Sequence, residues 1–410
     1  MEDVIVIGSG ASGLFAAMAA REAGAEVTVL EKNTQFAKKL LSTGNGRCNF
    51  TNLRVEKDCY HSDDFDRALD IINRFDQSKV LDFMCSLGMG IEYKDGWCYP
   101  RSMSALCVNR ALISHAKSLG VHLKGGKEVT DVIKKDDCFE VMVGGYAYRA
   151  RKVILACGGY AAPKSGSTGE GFYILKRSGV RIKKPLPALV PLVLKYNPLK
   201  KAAGVRTLAK VSLIADSREV SSDTGNLQIT EYGISGIPVF QISSEAVRAL
   251  DQKKDVSVKL DFFPDYPISA VKTLIGDCIT EASENLSADD PAWYLLMGLF
   301  PDKLSEALTD MILPEAETIG DVDIDTFSDF ADRTINELVF EVSGNRGFEY
   351  AQTTSGGVVF DELNDDLSLK KIPGLYVCGE EADVDGLCGG YNLQWAFSSG
   401  HVAGESAGKS

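Results

Sequence analysis

Residues 4–31, VIVIGSGASGLFAAMAAREAGAEVTVLE, constrain this chain more tightly than any other stretch. They read as strand, glycine turn, helix, strand and acid. The β-branched run at 4–7 has no polar interruption, the pattern of a parallel strand buried on both faces. Gly8, Gly10 and Gly13 follow at the spacing G-x-G-x-x-G. The first permits a tight turn, the second lets backbone approach a pyrophosphate, and the third lets the next helix lie close on the strand. The helix predicted over 12–23 begins with peptide N–H groups that lack an internal acceptor, so it favours a bound phosphate. Its alanines suit both helix propensity and close packing, and Gly24 is placed to end it. Residues 27–30 read as the next strand. Glu31 at its carboxyl end can accept from adenosine ribose hydroxyls, and an acid there disfavours a 2′-phosphate, leaving FAD or NAD.

With 410 residues the chain has room for two or three domains and a large core. Its composition, 45% hydrophobic and 25% charged, is that of an ordinary globular protein. The acidic start runs straight into a strand, so no signal peptide is expected, and no apolar run reaches membrane-spanning length. The expected location is therefore cytoplasmic. None of the 10 cysteines forms C-x-x-C, and there are only 4 histidines, so no metal site is expected and the thiols read as reduced. A net charge of -13 opposes non-specific nucleic-acid binding by the surface as a whole. One segment departs from that balance: residues 171–215 lack an acid yet carry Lys176, Arg177, Arg181, Lys183, Lys184, Lys195, Lys200, Lys201, Arg206 and Lys210. Such a run is either a solvated face or a track for an anion, RNA backbone or the phosphates of a nicotinamide nucleotide.

Beyond Glu31 lies a basic, glycine-rich loop in which Lys32, Lys38 and Lys39 can neutralise a pyrophosphate resting on the first helix. Thr43, Gly44, Asn45, Gly46, Arg47, Cys48 and Asn49 then offer closely spaced peptide N–H groups with amide and guanidinium side chains. That combination suits a flat heteroaromatic ring edged with acceptors, such as a flavin. Residues 66–87 are helical by period. GWCYPRSMSA, 96–105, reads as a loop entering a helix that ends near Gly120, with Arg101 a candidate clamp for an anionic substrate group or a plain surface arginine. Residues 121–134, 139–143 and 148–156 read as a meander of strands returning to the main sheet. VILACGG, 153–159, repeats the first strand's logic, with Gly158 able to approach the cofactor.

The character changes near residue 189. The short runs 189–194, 209–215, 226–230, 239–242 and 256–262 suggest a β-barrel or sandwich. Residues 267–336 read as largely helical. The predicted organisation is a first domain over 1–188, a β-barrel insert over 189–265, a helical insert over 266–345 that returns to the barrel, and the rest of the first domain over 346–410. GLYVCG, 374–379, is again a strand ending in glycine, followed by Glu380. GLCGGYNLQWAFSSG, 386–400, runs from a glycine loop into a helix. Gly389 and Gly390 let backbone approach a ligand, and Asn392 and Leu393 present N–H groups at the helix start, which suits the N1–C2=O edge of a flavin. No second G-x-G-x-x-G follows a strand, so no separate nicotinamide domain is expected.

These motifs, with TEYGISGIPVFQIS and TSGGV at 354–358, together resemble the BaiN-like (HI0933-type) NAD(P)/FAD-dependent oxidoreductase family over essentially the whole chain. The loop TGNGRCNFTN and the segment GGYNLQWAFSSG carry the resemblance most specifically. It implies an α/β fold, with a glutathione-reductase-type FAD-binding Rossmann domain interrupted by a β-barrel plus helical subdomain. It further implies that Gly8, Gly10, Ser12 and Gly13 hold the pyrophosphate of non-covalent FAD and Glu31 the adenosine ribose. By the same resemblance Val129 offers its backbone to adenine, Glu380 faces the ribityl chain, and Asn45, Arg47, Asn392 and Leu393 edge the ring. The family's threonine-methionine-glutamate-serine run is absent here, where residues 366–370 read DLSLK.

The expected activity is reduction of an activated C=C bond by hydride from flavin N5, with NAD(P)H as transient electron donor in the substrate cavity. The alternatives that the resemblance carries are reduction of uridine to dihydrouridine in ribosomal RNA and oxidation of a small amine with release of peroxide. No side chain takes a catalytic role from sequence; Cys388, Tyr391, Tyr232 and Arg101 lie in plausible loops.

Overall fold

The run Glu2–Ile7 forms the central strand of a sheet, with residues 4–6 fully buried. It pairs in parallel with Val27–Leu30 on one side and with the second half of Tyr146–Leu155 on the other. His122–Lys124 extends the sheet beyond Val27–Leu30, and Leu375–Val377 pairs in parallel with Tyr146–Leu155. The first half of that long strand instead turns back on Phe139–Val143, which pairs with Val129–Lys134. The computed structural model describes residues 1–336 and 338–409. Its chain forms two compact units, Met1–Ala188 with Ala351–Ser410, and Leu189–Tyr350.

Within the first unit the helix Ala11–Glu22 packs on the parallel sheet and against the last helix, Tyr391–Gly408, which also touches the sheet. The two helices approach closely because Gly400, Gly404 and Gly408 recur every four residues on one face. A methyl group at any of them would overlap the opposing backbone at Ser12, Ala16 or Ala20 respectively. A small sheet of Thr51–Asn52, Trp97–Pro100 and Ile91–Lys94 belongs to the same unit.

The second unit is a closed barrel of Leu192–Leu194, Gly233–Gly236, Arg218–Thr230, Arg206–Ala215, Val256–Asp261 and Leu338–Asn345. Alternate residues such as Val211, Leu213, Leu227, Ile229, Val258 and Leu260 are wholly buried, the period of a strand with one face on a core. Ile268–Asn285, Asp302–Ile312 and Ile324–Asn336 are helices lying between the last two strands in sequence.

The predicted α/β class, with a nucleotide-type sheet and an inserted barrel, matches this architecture; several local expectations do not. Residues 239–242, read as a strand, sit inside the helix Ile237–Asp251. A short apolar run does not distinguish the two states by itself. Here Gly236, at φ 102°, and Pro238 in the first turn start a helix. Residues 66–87 are two helices, Phe65–Arg74 and Gln77–Ser86, because the Phe75 carbonyl turns aside to accept from Gln394 and Ser398 of the last helix. Asp76 then caps the second helix at the Lys79 N–H. The supposed loop at 96–105 contains the strand Trp97–Pro100. Only the end of 189–194 is strand.

Candidate dinucleotide-binding site

At the first turn, a side chain on Gly8 would overlap the Ala156 carbonyl of the neighbouring strand end, and one on Gly13 would overlap the Gly8 carbonyl. These two glycines are needed by the protein's own packing. Gly10 differs: a Cβ built there meets nothing within 4 Å. Its turn faces open space, with the start of the helix Ala11–Glu22 behind it and no acidic residue in the first helical turn. That is a cradle for an anion.

Glu31 is buried at the end of its strand. One carboxylate oxygen accepts from the Ser9 N–H and hydroxyl at 2.9 and 2.7 Å; the other accepts from the Asn33 N–H at 2.8 Å. The carboxylate is thus fixed across the glycine turn. Val129, buried at the head of its strand, belongs to the same sheet. The lysines predicted to meet a pyrophosphate each have a protein partner: Lys32 has Glu170 and Thr168, Lys38 the Lys164 carbonyl, and Lys39 Glu380.

The loop after Lys39 departs from regular structure. Gly44, Asn45, Gly46 and Cys48 all have φ between 54° and 81°, and the Arg47 and Cys48 N–H groups donate within the loop, to the Gly44 and Thr43 carbonyls. Asn45 and Arg47 are exposed and free to meet a ligand. Cys48 is fully buried, and burial pushes its thiol up to about 12. Thr43 donates its hydroxyl to the Leu40 carbonyl. Asn49 is 7% exposed, yet neither its amide nitrogen nor its amide oxygen has a partner among the described residues. An unsatisfied buried amide costs about 1–3 kcal/mol per group, which a ligand edged with donors and acceptors would recover.

The last helix ties these pieces together. Its first internal bond is Gln394 N–H to the Gly390 carbonyl, so the N–H groups of Asn392 and Leu393 precede it and remain available to a ligand. Gly390, at φ 93°, lies against the Thr51 backbone too closely for any side chain. The Asn392 amide does not face outward. It accepts from the Gly386 N–H and donates to the Gly386 carbonyl, locking the 386–390 loop. Gln394 accepts from the Thr51 hydroxyl. Trp395 donates to the Gly379 carbonyl at 2.9 Å and the Ser399 hydroxyl accepts from the Gly379 N–H at 3.0 Å. Gly379 itself packs on Ser12. Sequence reasoning missed Gln394, Trp395, Ser399 and Gly400 as positioning residues. Their signal was present in the run QWAFSSG, in which polar groups sit among large apolar ones on a buried helix.

Gly158 and Gly159 close the strand beside the first turn, with Thr354 accepting from the Tyr160 and Ala161 N–H groups behind them. Beneath that turn Glu381 is wholly buried, accepts from the Cys157 N–H at 2.8 Å, and has one oxygen without a partner. Burial pushes its carboxyl up to about 8. The candidate catalytic groups separate. Tyr391 is buried, and burial together with Cys59 raises its phenol. Tyr232 lies under the Arg346 guanidinium at 4.3 Å in the barrel unit. Arg101 does not form the clamp considered for it: it is largely exposed and pairs with Glu92. Of the basic segment, Arg177, Arg181, Lys183, Lys195 and Lys201 face Asp131, Glu362, Asp383, Glu341 and Asp310 respectively.

The model of the HI0933-like protein Rossmann domain family matches residues 2–406. A 3-dehydro-bile acid delta(4,6)-reductase of Clostridium scindens is 36% identical over 99% of this chain and 99% of its own. A ribosomal RNA dihydrouridine synthase of Escherichia coli is 28% identical, over 97% of this chain and 96% of its own. Among solved structures, a 3-ketosteroid delta1-dehydrogenase of Sterolibacterium denitrificans aligns with a TM-score of 0.50 at 14% identity, covering 99% of each chain. At that identity the likeness speaks for the fold.

Proposed function

The chain belongs to the HI0933-like family, and from that premise we propose that it is an FAD-dependent oxidoreductase that saturates a C=C bond conjugated to a carbonyl. The observation that carries the reading is the combination of an open Gly10 cradle with the orphaned Asn49 amide. One asks for a pyrophosphate, the other for a ring edged with donors and acceptors. The two named relatives support the choice of bond. A delta(4,6)-reductase removes alkene unsaturation, and a dihydrouridine is a uridine whose ring C=C has been saturated. The 36% identity favours a steroid-like enone over uridine. The carboxylates facing the basic segment weigh against a phosphate track for RNA.

In this reading Gly8, Gly10, Ser12 and Gly13 seat the pyrophosphate and Glu31 the adenosine ribose, with Val129 beside the adenine. Lys32 and Lys39 offset the pyrophosphate charge. Glu380 meets the ribityl chain. Gly158, Gly379 and Gly390 allow close backbone approach, and Thr43, Gly44, Asn45, Arg47, Asn49, Asn392 and Leu393 edge the ring. Bound in this way, FAD supplies a two-electron hydride carrier. The chain's part is to hold it without a covalent bond, to exclude water, and to place helix N–H groups where negative charge gathers on reduction. With a single glycine fingerprint, NAD(P)H binds transiently and leaves before substrate enters. In this reading the cysteines stay reduced in the cytoplasm, and no described helix is long and apolar enough to cross a membrane.

Anaerobic addition of NADH or NADPH to the FAD-loaded protein is expected to bleach the flavin band, and a 3-oxo-4-ene steroid to restore it. A flavin that neither nucleotide bleaches overturns this choice of donor, and peroxide release with an amine alone favours the oxidase.

A further inference from the structure

The strand Trp97–Pro100 joins the two glycine loops assigned to the flavin ring. Its neighbour strand Thr51–Asn52 follows the 43–49 loop directly, with Phe50 N–H donating to the Cys98 carbonyl at 3.0 Å. Asn52 reaches the other loop by donating to the Gly389 carbonyl at 3.0 Å. Cys98 points into the core and is fully buried. Trp97 and Tyr99 therefore share the opposite face, their rings stacked at 6.5 Å. The Trp97 indole nitrogen comes within 3.4 Å of where a Gly389 side chain would begin. The Tyr99 ring and the Asn49 Cβ both come within 4 Å of the corresponding point on Gly44. A two-ring aromatic wall thus runs from one loop to the other.

Tyr99 is only 7% exposed, and the part it exposes includes its hydroxyl, which bonds to no described residue. The charge that acts on it comes from the first of these loops, the Arg47 guanidinium. Burial raises this phenol and Arg47 works against the rise, so it remains a protonated donor at neutral pH. The Tyr99 ring and Asn49, whose amide is orphaned, thus meet beside Gly44, and Trp97 stands beside Gly389.

We propose that Trp97 and Tyr99 form the substrate-facing wall of the site, with Tyr99 the proton donor to the alkene. The inference rests on the reading above, in which FAD supplies the hydride. The alkene carbon β to the carbonyl gains hydride, the π pair moves to the α-carbon, and that carbon takes the proton from the Tyr99 O–H. The substrate is thereby reduced by two electrons. The tyrosinate left behind is stabilised by Arg47 and regains its proton from water.

The test uses FAD-loaded enzyme reduced with dithionite, so that the nicotinamide donor plays no part, and mixed anaerobically with a 3-oxo-4-ene steroid. Tyr99→Phe is expected to keep the visible flavin spectrum and FAD affinity of the wild type but to slow reoxidation by the enone about 100-fold or more, within the range for a general acid. Wild type should show a solvent deuterium isotope effect on that step, and Tyr99→Phe should lose it. Trp97→Leu is expected to weaken enone binding to the oxidised enzyme, read from flavin absorbance, at least tenfold without slowing dithionite reduction. Reoxidation of Tyr99→Phe within threefold of wild type, or an unchanged isotope effect, overturns the Tyr99 assignment alone. Wild type that the enone fails to reoxidise overturns the C=C reading, and the Tyr99 role falls with it.

Discussion

Gly10 and Asn49 make the same point at the scale of single residues: each is costly or unnecessary for the protein alone and sensible beside a ligand. Gly10 has free space where a side chain would stand, and Asn49 hides two polar atoms without partners. Glu381 is a third buried polar residue, and its consequence is measurable. In the unfolded chain its carboxyl returns toward 4.5, whereas in the fold it is held up to about 8. The folded state thus keeps a proton that the unfolded state gives up between those two values. Its contribution is fully present below about pH 4.5, declines as pH rises toward 8, and is lost above, with a slope of at most about 1.4 kcal/mol per pH unit. Glu381→Gln should flatten the fall in melting temperature between pH 6 and 8; an unchanged profile would show that Glu381 does not titrate there. The glycines and Glu31 were legible in sequence because backbone geometry demands them. Glu381 was not, since adjacent Glu380 and Glu381 are told apart only by which one the fold buries.

At the scale of elements, the last helix is the hub. Asn392, Gln394, Trp395 and Ser399 reach four different segments, and Gly400, Gly404 and Gly408 let the first helix approach. Gly404→Val should therefore force the helices apart. Overpacking of this kind costs about 1–3 kcal/mol, more where backbone is the obstacle, so a clear drop in melting temperature and weaker FAD retention are expected. Tolerance of valine would remove the helix pair as the reason for the glycine spacing. Sequence patterning located this helix and the first strand–turn–helix unit because their periods are long and uninterrupted. It failed at 239–242 and at Phe75, where tertiary hydrogen bonds and a glycine–proline start outweigh local period. It also missed the strand Trp97–Pro100, a four-residue element whose pairing partners are distant in sequence or separated from it by a tight turn.

At the scale of the whole molecule, the far end of the chain returns to the first unit's sheet, since Leu375–Val377 pairs with Tyr146–Leu155 and the helix after it packs on Ala11–Glu22. The barrel unit between them closes on itself with its own core. That long-range closure brings the 43–49 and 386–393 loops to one small sheet, and the central claim is that they grip one FAD. The most direct measurement is the visible absorption spectrum of the purified protein after incubation with FAD and removal of excess by gel filtration. The account predicts a yellow protein carrying equimolar FAD that acid precipitation releases in full. A protein that elutes colourless would contradict it.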